Sequence, residues 1–285
     1  MSSLDRKDCG VLERFKVTIL VDNIAKGNLI KEHGLSILIE SDGKSILFDT
    51  GQGNALKHNS RVLDIDLGDL NTVVLSHGHY DHTGGLAHVL ERAPNCELYC
   101  HPAVKKMRYS VRNNKVKEIQ PPKSTVKALD NLSTGQLHWI KEPMMIDDRI
   151  GVTGPIPRKE AYEDTGGSFF FDTQGIEADL VEDDIAIWLI RDSELSVLTG
   201  CAHAGLVNTI EYIESINPGL TARTVIGGFH LVNASKERLQ NTVKRLQKMD
   251  LIVPCHCTGK KANAYLKRCL GKRVRQGEAG MVFFI

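Results

Sequence analysis

The chain has 285 residues, 41% hydrophobic and 25% charged, a composition that suits a soluble globular protein with a substantial core in one large domain or two small ones. Its 36 basic and 35 acidic residues nearly cancel, so no charge excess argues for a nucleic acid or an anionic membrane as partner. No apolar run is long enough to cross a bilayer, the opening MSSLDRKDCGVLERF lacks the apolar core of a signal peptide, and a cytoplasmic location is the expectation.

In chain order, Phe15–Val21, Leu35–Glu40 and Ser45–Phe48 are short β-branched and apolar runs that read as strands. The stretch Ser41-Asp42-Gly43-Lys44 reads as a hairpin turn between the last two. Asn71–Leu75 is a further strand, Leu86–Arg92 a short helix stopped by Ala93-Pro94-Asn95, and Glu97–Cys100 a strand. Lys105–Asp130 is basic and polar, contains Pro121-Pro122, and reads as an insertion or lid rather than core. The second half offers a hairpin from Ile185–Ile190 and Leu195–Leu198, then a helix carrying Leu206, Ile210 and Ile213. Thr224–Ile226 is a strand, and Ser235 caps a helix with Leu239, Val243 and Leu246 on one stripe. Leu251–Val253, a basic helix near Lys260–Leu270 and a closing strand Met281–Ile285 complete the chain. Strands precede helices in each half, and no linker divides them. The expectation is therefore one α/β domain over residues 1–285, a four-layer αββα sandwich of two mixed sheets with helices outside.

The stretch Ser76-His77-Gly78-His79-Tyr80-Asp81-His82-Thr83-Gly84-Gly85 lies between a strand and a helix. Three histidines and an aspartate within six residues supply convergent nitrogen and oxygen donors of the kind that bind zinc, iron, manganese or cobalt. In an extended loop His77 and His79 point the same way, leaving Asp81 and His82 to face a second position. Seven cysteines, an odd number, argue against a disulfide framework. Cys255 and Cys257 are one residue apart, not the C-x-x-C of a zinc knuckle, and read as small buried side chains or neighbours of ligands.

The pattern H-x-H-x-D-H closing in T-G-G-L resembles the signature of the metallo-β-lactamase superfamily, and Phe48-Asp49-Thr50-Gly51 is similar to its strand-ending aspartate motif. The likeness extends to Thr199-Gly200-Cys201-Ala202-His203, Gly227-Gly228-Phe229-His230 and Pro254-Cys255-His256-Cys257-Thr258-Gly259. It implies one or two divalent transition-metal ions, zinc foremost with iron or manganese as options. His77, His79 and His203 would hold one ion, and Asp81, His82 and His256 the other, with the choice of His203 over His230 left open. Asp49 and Cys201 would contact the ligands from behind, Cys201 standing where many members carry an acidic residue after T-G. His230 would act on the substrate as an acid, base or oxyanion donor. Asp81 would keep the nucleophile oriented.

The combination GCAHAG, GGFHL and PCHCTG with Glu32-His33-Gly34-Leu35-Ser36 resembles a narrower group that includes dihydropterin ribofuranosyl-aminobenzene-phosphate synthases. The activity implied is hydrolysis of a small-molecule ester, thioester, lactone or phosphoester by metal-activated water. The alternatives are a transferase joining a dihydropterin to a ribofuranosyl-aminobenzene phosphate and an iron redox protein. Arg158 is a candidate for a substrate phosphate or carboxylate, and a solvated loop arginine fits it equally well. His33 reads either as a cap or as a neighbour of the site. Asp22-Asn23 reads as an ordinary turn, Phe169-Phe170-Phe171 as core before pocket wall, and His58, His88, His101 and His138 as surface or packing residues.

Overall fold

Runs such as SILIE and AIWLI are apolar at nearly every position, which a strand needs when both of its faces are covered. The computed structural model describes residues 14–113 and 115–285; Cys9 and the rest of the opening stretch lie outside the described residues. The first half runs β1 (Lys16–Val21), β2 (Ser36–Ser41), β3 (Lys44–Phe48), α1 (Asn54–Val62), β4 (Thr72–Val74), α2 (Tyr80–Thr83), α3 (Leu86–Arg92) and β5 (Glu97–Cys100). A middle stretch follows with β6 (Tyr109–Arg112), β7 (Lys115–Glu118), α4 (Lys123–Asp130), β8 (Leu137–Trp139), β9 (Met144–Met145), β10 (Ile150–Val152) and β11 (Phe169–Phe170). The second half is β12 (Ala186–Arg191), β13 (Glu194–Thr199), α5 (Leu206–Ile216), β14 (Thr221–Gly228), α6 (Lys236–Leu246), β15 (Leu251–Cys255), α7 (Lys260–Leu270) and β16 (Val282–Phe284).

These strands build a seven-stranded sheet in the order β16-β1-β2-β3-β4-β5-β8 and a six-stranded sheet β15-β14-β13-β12-β10-β9. Both are mixed: β3, β4, β5 and β8 run parallel, as do β13, β14 and β15, while the hairpins that precede them are antiparallel. In β2, Ile37 and Ile39 enter the layer between the sheets with Phe48, Ile187, Leu198 and Ile226. Leu38 points the other way, to a layer with Leu56, Leu86 and Val89 of α1 and α3. Behind the second sheet, Val197, Val225 and Ile252 meet Ile210, Leu246 and Leu266 from α5, α6 and α7. Each such side chain, fully buried, contributes roughly 1.5–3 kcal/mol. The fold is therefore the four-layer αββα sandwich expected from element order.

Two expectations need correcting. Beyond the opening hairpins, helices alternate with strands, as a parallel sheet requires, instead of following them in a block. Lys105–Asp130, expected to be an insertion or lid rather than core, divides in two. Its second part, α4, buries Thr125 and Leu129, and Leu129 joins the core layer of α1 and α3. Its first part, the β6–β7 hairpin, pairs with β11 in a small separate sheet. Among the described residues no helix is long and apolar enough to cross a membrane, and the six described cysteines are free thiols.

Candidate metal centre

The parallel strands of both sheets end at one edge, the place where open α/β sheets put their sites. His77, His79, Asp81 and His82 follow β4, His203 follows β13, His230 follows β14 and His256 directly follows β15. Asp49 (φ 61°), His230 (φ 42°) and His256 (φ 43°) lie just past their strands in the left-handed region, a conformation that surrounding contacts must enforce.

The imidazoles form a continuous arc. Ring centroids are 4.4 Å apart for His230–His203, 4.7 Å for His203–His77, 4.3 Å for His77–His82, 5.1 Å for His82–His256 and 4.8 Å for His256–His33. Within it the donor atoms of His77, His79 and His203 lie within 4.8 Å of one another, as do those of His33, Asp81 and His256. Cys201 links the two ends, grouping with His77 and His82, with His203 and His230, and with His256 and Cys257. Its Sγ is 3.1 Å from His82 Nε2. Cys201, expected behind the ligands, thus stands among the donor atoms. Cys257, set aside on its spacing, stands there too, because the short helical turn His256–Thr258 brings it back towards the centre.

Four of the rings are held from outside through Nδ1, which turns Nε2 towards the cluster, where His77 Nε2 and His79 Nδ1 lie 2.9 Å apart. His77 Nδ1 meets Ser76 Oγ at 2.9 Å, His82 Nδ1 meets Asp49 Oδ2 at 2.6 Å, and His203 Nδ1 meets the Thr165 carbonyl at 2.7 Å. His256 Nδ1 meets Asn23 Oδ1 at 2.9 Å, while its backbone N–H donates to Asp22. Asp22-Asn23 is therefore a support for His256 rather than an ordinary turn. Asp49 also accepts from the Ser76 N–H and hydroxyl, tying strand β3 to the histidine loop. Gly78 donates to Asp183, and Ala204 donates to Asp184, which fixes the loops before and after His79 and His203.

The donor set suits a divalent transition metal. Burial lowers His77, His79 and His203 well below the usual histidine range, so they are neutral imidazoles with lone pairs to offer. His79 Nε2, His203 Nε2 and His230 Nδ1 are buried without a hydrogen-bond partner among the described residues, a costly state that a bound ion or substrate relieves. Burial works against charge on Asp81, but hydrogen bonds from His256 and His33 outweigh it and hold the carboxyl well below its usual range. For His82 burial again opposes the charge, and the Asp49 carboxylate overrides it, raising the imidazole to about 9, so an ion bound there would displace the ring proton.

The centre opens into a cleft of about 410 Å³. Phe169 forms one wall, with its ring 5.1 Å from His79 and 5.3 Å from His203, so this aromatic belongs to the pocket. His33, read two ways in the sequence, lines the cleft 3.1 Å from Asp81. Arg158 does not line it: its guanidinium donates to the carbonyls of His203 and Leu180, and it borders a different hollow. His58, His88, His101 and His138 also lie away from the cleft.

Residues 30–212 match the metallo-β-lactamase superfamily. A protein of Methanocaldococcus jannaschii named 7,8-dihydropterin-6-methyl-4-(beta-D-ribofuranosyl)-aminobenzene-5'-phosphate synthase is 30% identical over 267 residues, 89% of this chain and 90% of that protein. An uncharacterized protein of the same organism is 36% identical over 254 residues, 86% of this chain and 91% of that one. The crystal structure of a metal-dependent hydrolase of the β-lactamase superfamily superposes with a TM-score of 0.81 at 27% identity, covering 95% of this chain and 99% of that one. Zinc-bound PqqB from Methylobacterium extorquens, at 13% identity and a TM-score of 0.58, shares the fold. Matched over most of its length, and by relatives that cover nearly all of it, the chain belongs to the metallo-β-lactamase superfamily.

Proposed function

We propose that this protein is a metal-dependent hydrolase acting on a small molecule with an ester-like or phosphoester bond. The observation that carries the reading is the arc of grouped donors, most of which line one open cleft. His77, His79 and His203 would hold one ion, and Asp81, His82 and His256 a second, with Cys201 between them. Zinc is the first choice because the set mixes imidazole, carboxylate and thiol. Such ions, when bound, polarise a carbonyl or phosphoryl oxygen and lower the pKa of water.

The chain's own groups do the rest. Asp81, fixed by His33 and His256, orients the nucleophile. His230, with a free buried Nδ1 and a place on the cleft wall, exchanges a proton with the substrate or steadies developing negative charge. Phe169 shields the reacting side from water. Six free thiols among the described residues suit a reducing compartment, and the cytoplasm is the location we adopt.

Plasma mass spectrometry of protein purified without added metal tests the reading. One or two transition-metal ions per chain are expected, with loss of ions in His79→Ala and His256→Ala. A protein that takes up no metal under any loading condition would overturn it. The relative named as a synthase supports a second reading, a transferase in which the cleft takes a phosphorylated aromatic acceptor. Product analysis separates the two: hydrolysis needs water alone, whereas the transferase releases product only when both substrates are present.

His230 can be probed through the glycine that packs on its ring. A Cβ at Gly166 would fall 2.0 Å from His230 Cδ2, and Gly166 has φ +77°, so only glycine fits there. Gly166→Ala is expected to displace the His230 ring and lower turnover by about 10²-fold. Because the Thr165 carbonyl that holds His203 adjoins Gly166, metal is counted in each sample and turnover is compared per bound ion. Unchanged turnover with a shifted ring would show that His230 takes no part.

A further inference from the structure

The β6–β7 hairpin falls in the segment whose sequence reads as an insertion or lid, and its charge has no place in the centre described above. In its register Ser110 faces Lys117 and Arg112 faces Lys115, so these four side chains share one face of the ribbon. The opposite face carries Tyr109, Val111, Val116 and Glu118. Ser110, Arg112 and Lys117 line the same cleft as His79, Asp81 and His230. Like charges opposed across a strand pair are unfavourable. Here Arg112 and Lys115 are so opposed, and among the described residues Arg112, Lys115 and Lys117 have no ion-pair partner.

Both cleft-lining cations rest on loops that carry or border residues of the centre. Lys117 Nζ donates to the Tyr80 hydroxyl at 2.6 Å and lies 4.5 Å from the centre of its ring, one residue before Asp81. Arg112 lies over Gly167, where a Cβ would come within 2.8 Å of its guanidinium, and the preceding Gly166 packs on His230. The guanidinium and the His230 ring thus pack on consecutive residues of one loop. Among the described residues lining the cleft, Asp81 is the sole carboxylate, and it is engaged by His33 and His256.

We propose that Ser110, Arg112 and Lys117 form an anion subsite at the mouth of the cleft, which takes the phosphate monoester of a phosphorylated small-molecule substrate. A planar guanidinium, an ammonium and a hydroxyl give several donors around a tetrahedral dianion, more than a carboxylate can use. The subsite fills the role that Arg158 does not. This rests on the reading of the centre as catalytic, but the anion contact itself does not require a bound ion.

The test is calorimetric titration with ribose 5-phosphate and with ribose, on chelator-treated and on zinc-loaded protein, with metal counted in every sample. Ribose 5-phosphate is expected to bind both forms and ribose neither. Arg112→Ala/Lys117→Ala should weaken binding about tenfold or more in both forms, a loss of about 1.4 kcal/mol or greater. Lys115→Ala, off the cleft, should change it less than about twofold by the same arithmetic. Equal binding by the double variant, or binding only when zinc is present, would overturn the subsite. Equally tight binding of ribonate would replace phosphate with carboxylate as its ligand and overturn the assignment. Hairpin-dependent binding in a protein that never takes up metal would leave the subsite standing and remove the catalytic reading instead.

Discussion

Asp81→Ala is expected to lose metal and turnover together. Asp81 Oδ2 is 3.1 Å from His33 Nε2 and 3.3 Å from His256 Nε2, so its removal takes a partner from both rings. It also removes the sole carboxylate among the described residues of the cleft wall, leaving buried imidazoles to meet a dication without a compensating negative charge. A supporting partner is worth roughly 10–100-fold in metal affinity, and a ligand with two such contacts should cost more than that. Asp49→Asn supplies the contrast. Asp49 touches His82 and Ser76 from behind, so its amide should lower affinity within the 10–100-fold range and leave the donor set intact. Metal titration with a competing chelator reads both variants, and far-UV circular dichroism checks that each is folded. Asp81→Ala with its full complement of tightly held ions would remove Asp81 from the centre.

The parts of the centre that were legible in the sequence are those packed into one loop. His77, His79, Asp81 and His82 sit within six residues, and the fold places them as a cluster because the loop follows a buried strand. Strands with both faces covered were equally plain, since continuous apolar runs need no partner to be recognised. What failed to show depends on residues far apart in the chain. Asn23 holds His256 across 233 positions, and nothing local marks a turn asparagine for that task. Cys257 looked wrong by spacing, yet a short helical turn after β15 carries it inward. Arg158 reads equally well in the sequence as a substrate contact or a solvated loop arginine, but its guanidinium is spent on two backbone carbonyls. Helix α1 escaped notice because NALKHNSRV buries Ala55, Leu56, Asn59 and Ser60, a face half polar. The hairpin's cations were visible as charge, while their shared face is a matter of register.

Arg108, which drew no attention in the sequence, should be among the costliest positions to alter. Its side chain is 1% exposed and reaches Asp183 at 2.6 Å and Asp179 at 3.3 Å, both also buried. Asp183 turns its other oxygen to the Gly78 N–H at 2.8 Å, so the guanidinium, the carboxylate and the His77–His79 turn form one chain of contacts. Arg108→Met keeps much of the volume and deletes the charge, leaving two carboxylates buried without their cation. Breaking a buried pair in this way costs about 3–5 kcal/mol, against a total stability of roughly 5–15 kcal/mol for a folded protein. The expected fall in melting temperature is roughly 10 °C, read by calorimetry on metal-free protein so that ion binding does not mask it. Metal affinity should fall as well, because the turn that presents His77 and His79 loses its anchor. Adding Asp179→Asn and Asp183→Asn to Arg108→Met removes the stranded charges and should return part of the stability, while the loosened turn keeps the affinity low. If the triple variant melts no higher than Arg108→Met, the cost lies in lost packing around the guanidinium stem and not in the unpaired carboxylates.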